Sequence, residues 1–480
     1  MTNEELVAEN ERLRVENAEL KRRLAELEAL VPRLKEQLEA ARRAGKRQAT
    51  PFSKGPPQHR PQTPGRKKGH PAAHRLPPDH VDRIEEAALP VTCPDCGSTV
   101  IEDEVQVQYQ EDIPRPVPTV VTQFNVHIGH CESCQRRFQG RHPDQTSDAL
   151  GAAAIQIGPN ALGLAAEMKH GVGASYGKVA RLMETSFGLH LGRSTVARAD
   201  ERLANHLEPT YQRLILRLRD SEVVHVDETG WKVAGQNAWL WVFTNDSLSV
   251  YTIDPTRAHE VVERVLGDDF AGVVGCDCFL AYDALPTIRQ SKCAGHLLRR
   301  CAEISVSKSG RAVRFSQQVA RLLRAAITLK RRRTNRLISA HGYAVACGRL
   351  EAALDRLLAG HYTDPDNARL AKLLRKQRQR LLTFLYVEAV DPTNNAAERE
   401  LRPAVIIRKT NGCNRSPGGA RTHSILVSVI RTCQKHGHDF VSAVKHVLRH
   451  PKAIALDIAS DTAHIPDLRP ELATAPAQGP

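Results

Sequence analysis

Two Cys-x-x-Cys pairs, Cys93-Pro-Asp-Cys96-Gly97 and Cys131-Glu-Ser-Cys134, stand 35 residues apart in a chain of 480. Four thiolates carried on two such knuckles make a closed tetrahedral set for one Zn²⁺, and the glycine after Cys96 permits the tight turn a knuckle needs. Between the pairs, the runs from Val105 (VQVQYQ) and Thr119 (TVVT) alternate as strands do. Residues 89–142 are therefore expected to form a zinc ribbon, with structural Zn²⁺ on Cys93, Cys96, Cys131 and Cys134. His127 and His130 lie close enough in sequence to compete as ligands. Four sulfur ligands leave no open position, so this zinc is not expected to do chemistry. Residues 91–150 hold nine acidic residues against four basic ones. That balance suits a structural or protein-binding module better than a grip on DNA.

The amino-terminal segment has a different period. Leu6, Leu13, Leu20, Leu27 and Leu34 recur every seven residues, with Asn3, Asn10, Asn17, Leu24, Val31 and Leu38 at the other seam position. Residues 1–44 are expected to be a leucine-zipper coiled coil that joins two copies in parallel. Asparagines at the seam lower stability but fix register. Pro32 predicts a kink or break. In the proline-rich linker 45–88, Lys54, Arg60, Arg66, Lys67, Lys68 and Arg75 are unaccompanied by acids until Asp79. Such a segment can lie along phosphates or act as a solvated tether. The start of the chain is too hydrophilic for a secretion signal, and no apolar run approaches the roughly 18 residues of a membrane span. A reducing cytoplasm is the expected compartment.

Residues 150–206 read as helical: Tyr176–Thr185, a turn at Phe187-Gly188, then a helix entered through Arg193 with Ser194 as its cap. Arg193, Arg198 and Arg202 on such a second helix would suit a major groove, although plain helical hairpins look the same. At Ser221 the period switches. SEVVHVDE, AWLWVF and LSVYTI read as strands, the last two separated by a turn at Asn245-Asp246. A short helix, AHEVVERVLG, then leads into a buried strand, GVVGCD. Residues 221–295 are thus a mixed α/β layout. Trp231, Trp239 and Trp241 are expected to pack in it. Residues 296–390 are helical, with Leu350, Leu354, Leu357 and Leu358 sharing one face. Residues 391–450 follow, and 451–480 form a tail.

Charge is unevenly placed along this order. The whole chain is formally +14, and segment 301–390 holds 18 Lys and Arg against 6 Asp and Glu, whereas 207–300 holds 10 against 13. Basicity therefore sits in the helical segment, centred on Lys330, Arg331, Arg332 and Arg333, and points to a polyanionic partner.

Three carboxylates are placed for metal chemistry. Asp227 ends the first strand, Asp277 ends the fourth, and Glu398 opens a helix in Asn394-Asn395-Ala-Ala-Glu398-Arg399. Acids at the ends of neighbouring core strands can share divalent cations, which activate a water or 3′-hydroxyl in phosphodiester chemistry. Spacing alone does not single out this trio, since a long chain has many acids that end strands.

The linked motifs are more specific. HVDETGWKV with NAWLWVFTN, then GCDCFLAYDAL with CAGHLLRR, then NNAAERELRPAVIIRKTNGCNRSPGGART resemble the bacterial IS66-family insertion-sequence transposases. The likeness runs from Met1 to about Leu448. It implies a multidomain protein with an N-terminal coiled coil, a zinc ribbon, and an α/β RNase H-like catalytic core (221–295 and 391–450) interrupted by an all-helical insertion (296–390). It implies a DDE triad of Asp227, Asp277 and Glu398 holding Mg²⁺ or Mn²⁺, which cleaves insertion-element ends and joins them to target DNA. Asp283 is the alternative second acid. Glu228 and Glu400 are poorer ones, because adjacent residues on a strand or helix point elsewhere. Arg402, Arg408 and Lys409 would hold phosphates or pair with acids on their own helix, and His296, near Arg299 and Arg300, would orient rather than ligate. Two positions depart from the family pattern. Thr393 replaces an Asp and can cap the helix, and Cys278 stands where a small residue is usual. The implied partners are terminal inverted repeats, target DNA, a second copy through the zipper, and accessory proteins encoded by the element, all at the bacterial nucleoid. A second reading is a catalytically inactive, domesticated relative that regulates through DNA binding.

Overall fold

The computed structural model describes residues 9, 11–26, 28, 78, 80–81, 83–110, 117, 119–285 and 288–460. The chain divides into two units, Met1–Val81 and Asp82–Pro480. In the first, residues 11–26 form helix α1. Its Leu13, Leu20 and Leu24 are exposed. Leu6, Leu27 and Leu34 of the proposed seam, and most of the basic linker, lie outside the described residues.

The second unit opens with the two cysteine knuckles. Strands β1 (Ile128–His130) and β2 (Arg137–Gln139) pair antiparallel around the second knuckle, while a single bridge, Thr92 to Thr99, closes the first. The alternating runs at 105–110 and 119–122 are not strands. Val105, Val107, Val120 and Val121 are exposed. Alternation makes a strand only where one face has an apolar surface to cover it, and these runs have none.

Helix α2 (Pro159–Ala166) runs into a π-turn, Glu167–Gly171, followed by α3 (Tyr176–Phe187) and the 27-residue α4 (Arg193–Arg219). Ser175 caps α3 by accepting from Lys178 N, and Gly188 closes it at φ 67°. Gly192, not Ser194, occupies the cap of α4. Along α4 the buried face carries Val196, Ala199, Leu203, Leu207, Leu214 and Leu218. Arg193, Arg198 and Arg202 remain exposed.

The core is a five-stranded sheet in the order β5-β4-β3-β6-β7, built from β3 (Val223–Val233), β4 (Gln236–Thr244), β5 (Ser249–Asp254), β6 (Val273–Cys276) and β7 (Arg289–Lys292). β3, β4 and β5 are antiparallel, whereas β6 and β7 run parallel to β3 and β6. Ala234 (φ 50°) and Gly235 (φ 81°) make the two-residue hairpin turn between β3 and β4. One sheet face presents Val224, Val226, Trp241, Phe243, Val250 and Val274 to α4, α5 (Glu260–Leu266) and the carboxyl-terminal helices. The other carries Leu240, Val242 and Tyr251 against α10 (Asn395–Asn411). Edge strand β5 is covered by α11 (Pro417–His436): Ser428 Oγ accepts from Tyr251 N at 2.8 Å, and Thr432 Oγ1 accepts from Ser249 N at 3.2 Å. Hydroxyls thereby satisfy an edge that would otherwise invite pairing. Helix α12 (Phe440–Arg449) packs on α2.

Strand β7 is not foreseeable from pattern because Arg-Gln-Ser-Lys has no apolar signal. Gln290, Ser291 and Lys292 are nevertheless buried. The Gln290 amide donates to Tyr282 O at 2.6 Å, and Thr383 Oγ1 donates to Gln290 O at 2.9 Å. Thr383 belongs to the helical segment that follows, α6 (Ala294–Ser307), α7 (Arg314–Thr334), α8 (Ala340–Ala359), α9 (Pro365–Lys376) and two short 3₁₀ turns after them. This segment packs around Leu297, Phe315, Leu323, Leu354, Leu370 and Phe384, in a cluster that also takes in Val223 of β3 and Val273 of β6. No helix among the described residues is long and apolar enough to cross a membrane.

Candidate active site

Parallel pairing aligns the two aspartates. Val223 faces Val273, Val224 faces Val274 and His225 faces Gly275. Carried two residues further, the same register would set Asp227 level with Asp277; Asp277 directly follows β6, but Asp227 does not end its strand, because the hairpin pairing with β4 continues β3 to Val233. Side chains alternate along a strand, so Asp227 shares its face with Val223 and His225, while Glu228 points through to the opposite side. Backbone N–H groups hold both aspartates: Glu228 N donates to Asp227 Oδ1 at 2.9 Å, and Phe279 N donates to Asp277 Oδ1 at 2.8 Å. Burial pushes the Asp227 carboxyl up to about 7, helped by the negative charges of Glu228 and Asp277.

Glu398 comes to this face from the first turn of α10. That turn is tied down by Asn394, whose Nδ2 donates to Val226 O at 2.8 Å and whose Oδ1 lies 3.0 Å from His225 Nδ1. Glu398 N then donates to Asn394 O at 3.1 Å. His296, on the first turn of α6, has its Nε2 3.7 Å from Glu398 Oε1. The Cys293 thiol beside His296, then Asp277 and Glu398, raise the imidazole above its ordinary value. Among the described residues no group of three or more His, Cys, Asp or Glu is drawn together as a ready metal cage. The donor chemistry still suits a hard divalent cation. The three candidate ligands are all carboxylates, and burial with the neighbouring charges of Glu228 and Asp277 disfavours the ionised form of Asp227, which a bound cation would favour.

The rival acids all have other partners. Glu228 is buried and accepts from Tyr282 Oη at 2.7 Å and Arg257 Nε at 2.8 Å. Asp283, the alternative second acid, lies among Lys376 (2.9 Å), Arg380 (3.2 Å) and Lys292 (3.6 Å), with Gln377 donating at 2.6 Å. Glu400 faces away from the trio and accepts from Arg431 Nε and Tyr251 Oη, each at 2.8 Å.

The proposed phosphate-binding residues divide by exposure. Arg402, Lys409, Arg331, Arg332 and Arg333 are exposed. Arg408 instead donates to Thr229 Oγ1 at 3.0 Å and to Gly230 O, which fastens α10 to β3. Lys330 does not belong with its arginine neighbours. It is buried, and its Nζ donates to Val387 O and Glu388 O, both at 2.9 Å. Thr393 does not cap α10; Asn394 holds the cap position, with no side-chain cap bond. Cys278 is buried in a cluster with Leu297, Phe315 and Leu323 of the helical segment and Val223 and Val273 of the sheet.

The two knuckles share a geometry. Cys93 N donates to Ser98 O and Gly97 N to Cys93 O; Cys131 N donates to Arg136 O and Gln135 N to Cys131 O, all between 2.8 and 2.9 Å. Gly97 (φ 76°) and Gln135 (φ 55°) hold the same left-handed turn. Within each knuckle the paired thiols are neighbours, and hydrogen bonds lower Cys96 (foremost from the Ser98 backbone) and Cys131 (foremost from the Cys134 backbone). Among the described residues the two pairs do not meet as one cluster.

Asn394, His225 and Cys293 join this site through tertiary structure and are not foreseeable as its members from motif spacing. The paired Asn ahead of Glu398 and a histidine inside an apolar strand are the signals that point toward them.

The chain is 25% identical over 397 residues to the uncharacterized protein y4qI of Sinorhizobium fredii (strain NBRC 101917 / NGR234), an alignment that covers 75% of this chain and 71% of that one. Residues 154–422, which include all of the sheet and the three acids, match the family described as Transposase IS66 family. The chain therefore belongs to the IS66 transposase family.

Proposed function

We propose that this chain is a DNA transposase with an RNase H-like core, which cleaves insertion-element ends and joins them to target DNA through Asp227, Asp277 and Glu398. The observation that supports this most is the parallel pairing of β3 with β6, Val223 to Val273 through His225 to Gly275, which carries Asp227 and Asp277 just beyond it, with the first turn of α10, which bears Glu398, bonded to β3 through Asn394. The three carboxylates would hold Mg²⁺ or Mn²⁺, which supplies positive charge to the attacking hydroxyl and the phosphodiester oxygens. The backbone donors at Glu228 and Phe279 fix one oxygen of each aspartate, and the second oxygen of each would be the one offered to the ion. The buried sheet beneath excludes water from below.

Arg402, Lys409 and Arg331–Arg333 would bind phosphates as exposed cations. The zipper would join two copies so that two element ends are held in one assembly. A structural Zn²⁺ on Cys93, Cys96, Cys131 and Cys134 would cross-link the two knuckles, whose matched turns suit that ion.

The test is Mg²⁺-dependent nicking and strand transfer of a labelled duplex carrying the DNA that flanks the gene. Wild type should act, and Asp227→Ala, Asp277→Ala and Glu398→Gln should each lose at least about a thousandfold. Activity retained in all three would overturn the trio. Binding without cleavage by wild type would favour a DNA-binding regulator.

A further inference from the structure

We propose that Asn394 and His225 form a positioning pair that sets Glu398 against Asp227, an inference that rests on the reading of these acids as the catalytic trio. Asn394 is 1% exposed and His225 is 5% exposed. The Val226 carbonyl can only accept, so it fixes the Asn394 amide with its NH₂ toward β3. Oδ1 must then face His225, which requires the hydrogen of that ring on Nδ1. One side chain at the start of α10 thus bonds to the two residues immediately before Asp227.

The same residue also joins the two ends of the helical insertion. Asn394 N donates to Cys293 Sγ at 3.1 Å, and Ala294 N donates to Pro392 O at 2.9 Å. Asn394 therefore meets β3, α6 and α10 at once, and these elements carry Asp227, His296 and Glu398. Gly275 completes the fit on β6. A Cβ there would lie 2.6 Å from His225 Nδ1 and would drive the ring off Asn394. No other described bond ties the start of α10 to the part of β3 around Asp227 with both partners buried. Without it, Glu398 would depend on the apolar packing of Ala397 and Leu401 for its distance from Asp227. Supporting partners of this kind tune a metal site without touching it.

The test uses the purified full-length chain and Mn²⁺ alone, with bound ion read by electron paramagnetic resonance, beside the nicking assay. Asn394→Ala should weaken Mn²⁺ binding by about 10- to 100-fold and lower kcat while leaving KM for DNA unchanged. His225→Phe, which lacks the donor, should do the same. His225→Asn, whose amide can stand in for Nδ1–H, should recover much of the affinity that His225→Phe loses. This histidine pair carries the test should Asn394→Ala not fold. Mn²⁺ binding within about twofold of wild type in Asn394→Ala and His225→Phe, with Asp227→Asn lacking it, would overturn the positioning role alone. Wild-type binding in Asp227→Asn as well would overturn the trio and this inference with it.

Discussion

Nδ1 of His170 lies 2.8 Å from Nδ1 of His423, and the other ring nitrogen of His170 lies 3.0 Å from Asp200 Oδ2. All three side chains are buried. They come from the π-turn after α2, from α11 and from α4, and Trp231 of β3 stacks on the His423 ring at 5.7 Å. One polar chain therefore links the helices before the sheet to the last part of the core. Burial, with His170 and Lys169 nearby, holds His423 well below the ordinary histidine value. His225 is depressed in the same direction, mainly by burial.

That depression sets a pH dependence. The unfolded chain takes up protons near pH ~6.5, whereas the folded chain keeps these rings neutral. Their contribution to stability is therefore complete above about pH 6.5 and is lost as pH falls toward the lowered folded values. The thermal midpoint should drop between pH 7.5 and pH 5.5, by about 2–4 °C for each kcal/mol of stability removed. His423→Leu should be less stable at pH 7.5 yet show a shallower slope. A wild-type midpoint that is flat across this range would contradict the assignment.

Glu398 and Glu400, two residues apart on α10, should separate cleanly in experiment. Burial opposes ionisation of Glu400, but Arg431 and Lys435 outweigh it and hold the carboxyl below its usual range. Removing one partner of a buried pair leaves the other uncompensated, so Glu400→Ala should cost about 3–5 kcal/mol in urea unfolding. Glu398→Gln should unfold near the wild-type midpoint and lose nicking. Equal stability losses in both variants would mean that Glu398 is structural too.

Lys330 and its arginine neighbours should likewise part. Lys330→Met strands two carbonyls and should cost about 1–3 kcal/mol of stability without altering the salt dependence of DNA binding. Arg331, Arg332 and Arg333 replaced together by Glu should reduce the salt slope by nearly one for each phosphate left without its cation. Filter binding from 50 to 200 mM salt distinguishes the two sets, and an unchanged slope in the triple variant would remove this run from the DNA surface.

For the knuckles, the purified chain should carry about one zinc, measured by atomic absorption. Cys131→Ser or strong chelation should release it and open residues 89–142 to protease, with the sheet intact. A chain that purifies without zinc and resists protease equally would refute the ribbon.

Much of this architecture is legible from local pattern. The apolar runs of β3 and β6, the turn at Asn245-Asp246 and the helix at Tyr176 are consequences of side-chain period and turn chemistry, which act over a few residues. The end of β6 just before Asp277 is legible for the same reason, but Asp227 does not end its strand, because pairing with β4 carries β3 on to Val233. Patterning fails where a long-range partner decides. Val105, Val107, Val120 and Val121 alternate but find no surface to cover them. Arg289–Lys292 carries no strand signal, yet it is a strand because Tyr282 and Thr383, well outside it in sequence, supply partners for its buried polar groups.

The sequence by itself pointed to the family and offered three acids as candidates to act together. Tertiary structure showed what occupies the neighbours: Glu400 is paired with Arg431, Asp283 lies among Lys376, Arg380 and Lys292, and Lys330 is buried on backbone carbonyls while Arg331 is exposed. Each choice turns on which carbonyl, carboxylate or cation another part of the fold places within about 3 Å. That distance is set by packing between segments far apart in the chain, such as His225 and Asn394, which stand 169 residues apart, and local pattern holds no record of it.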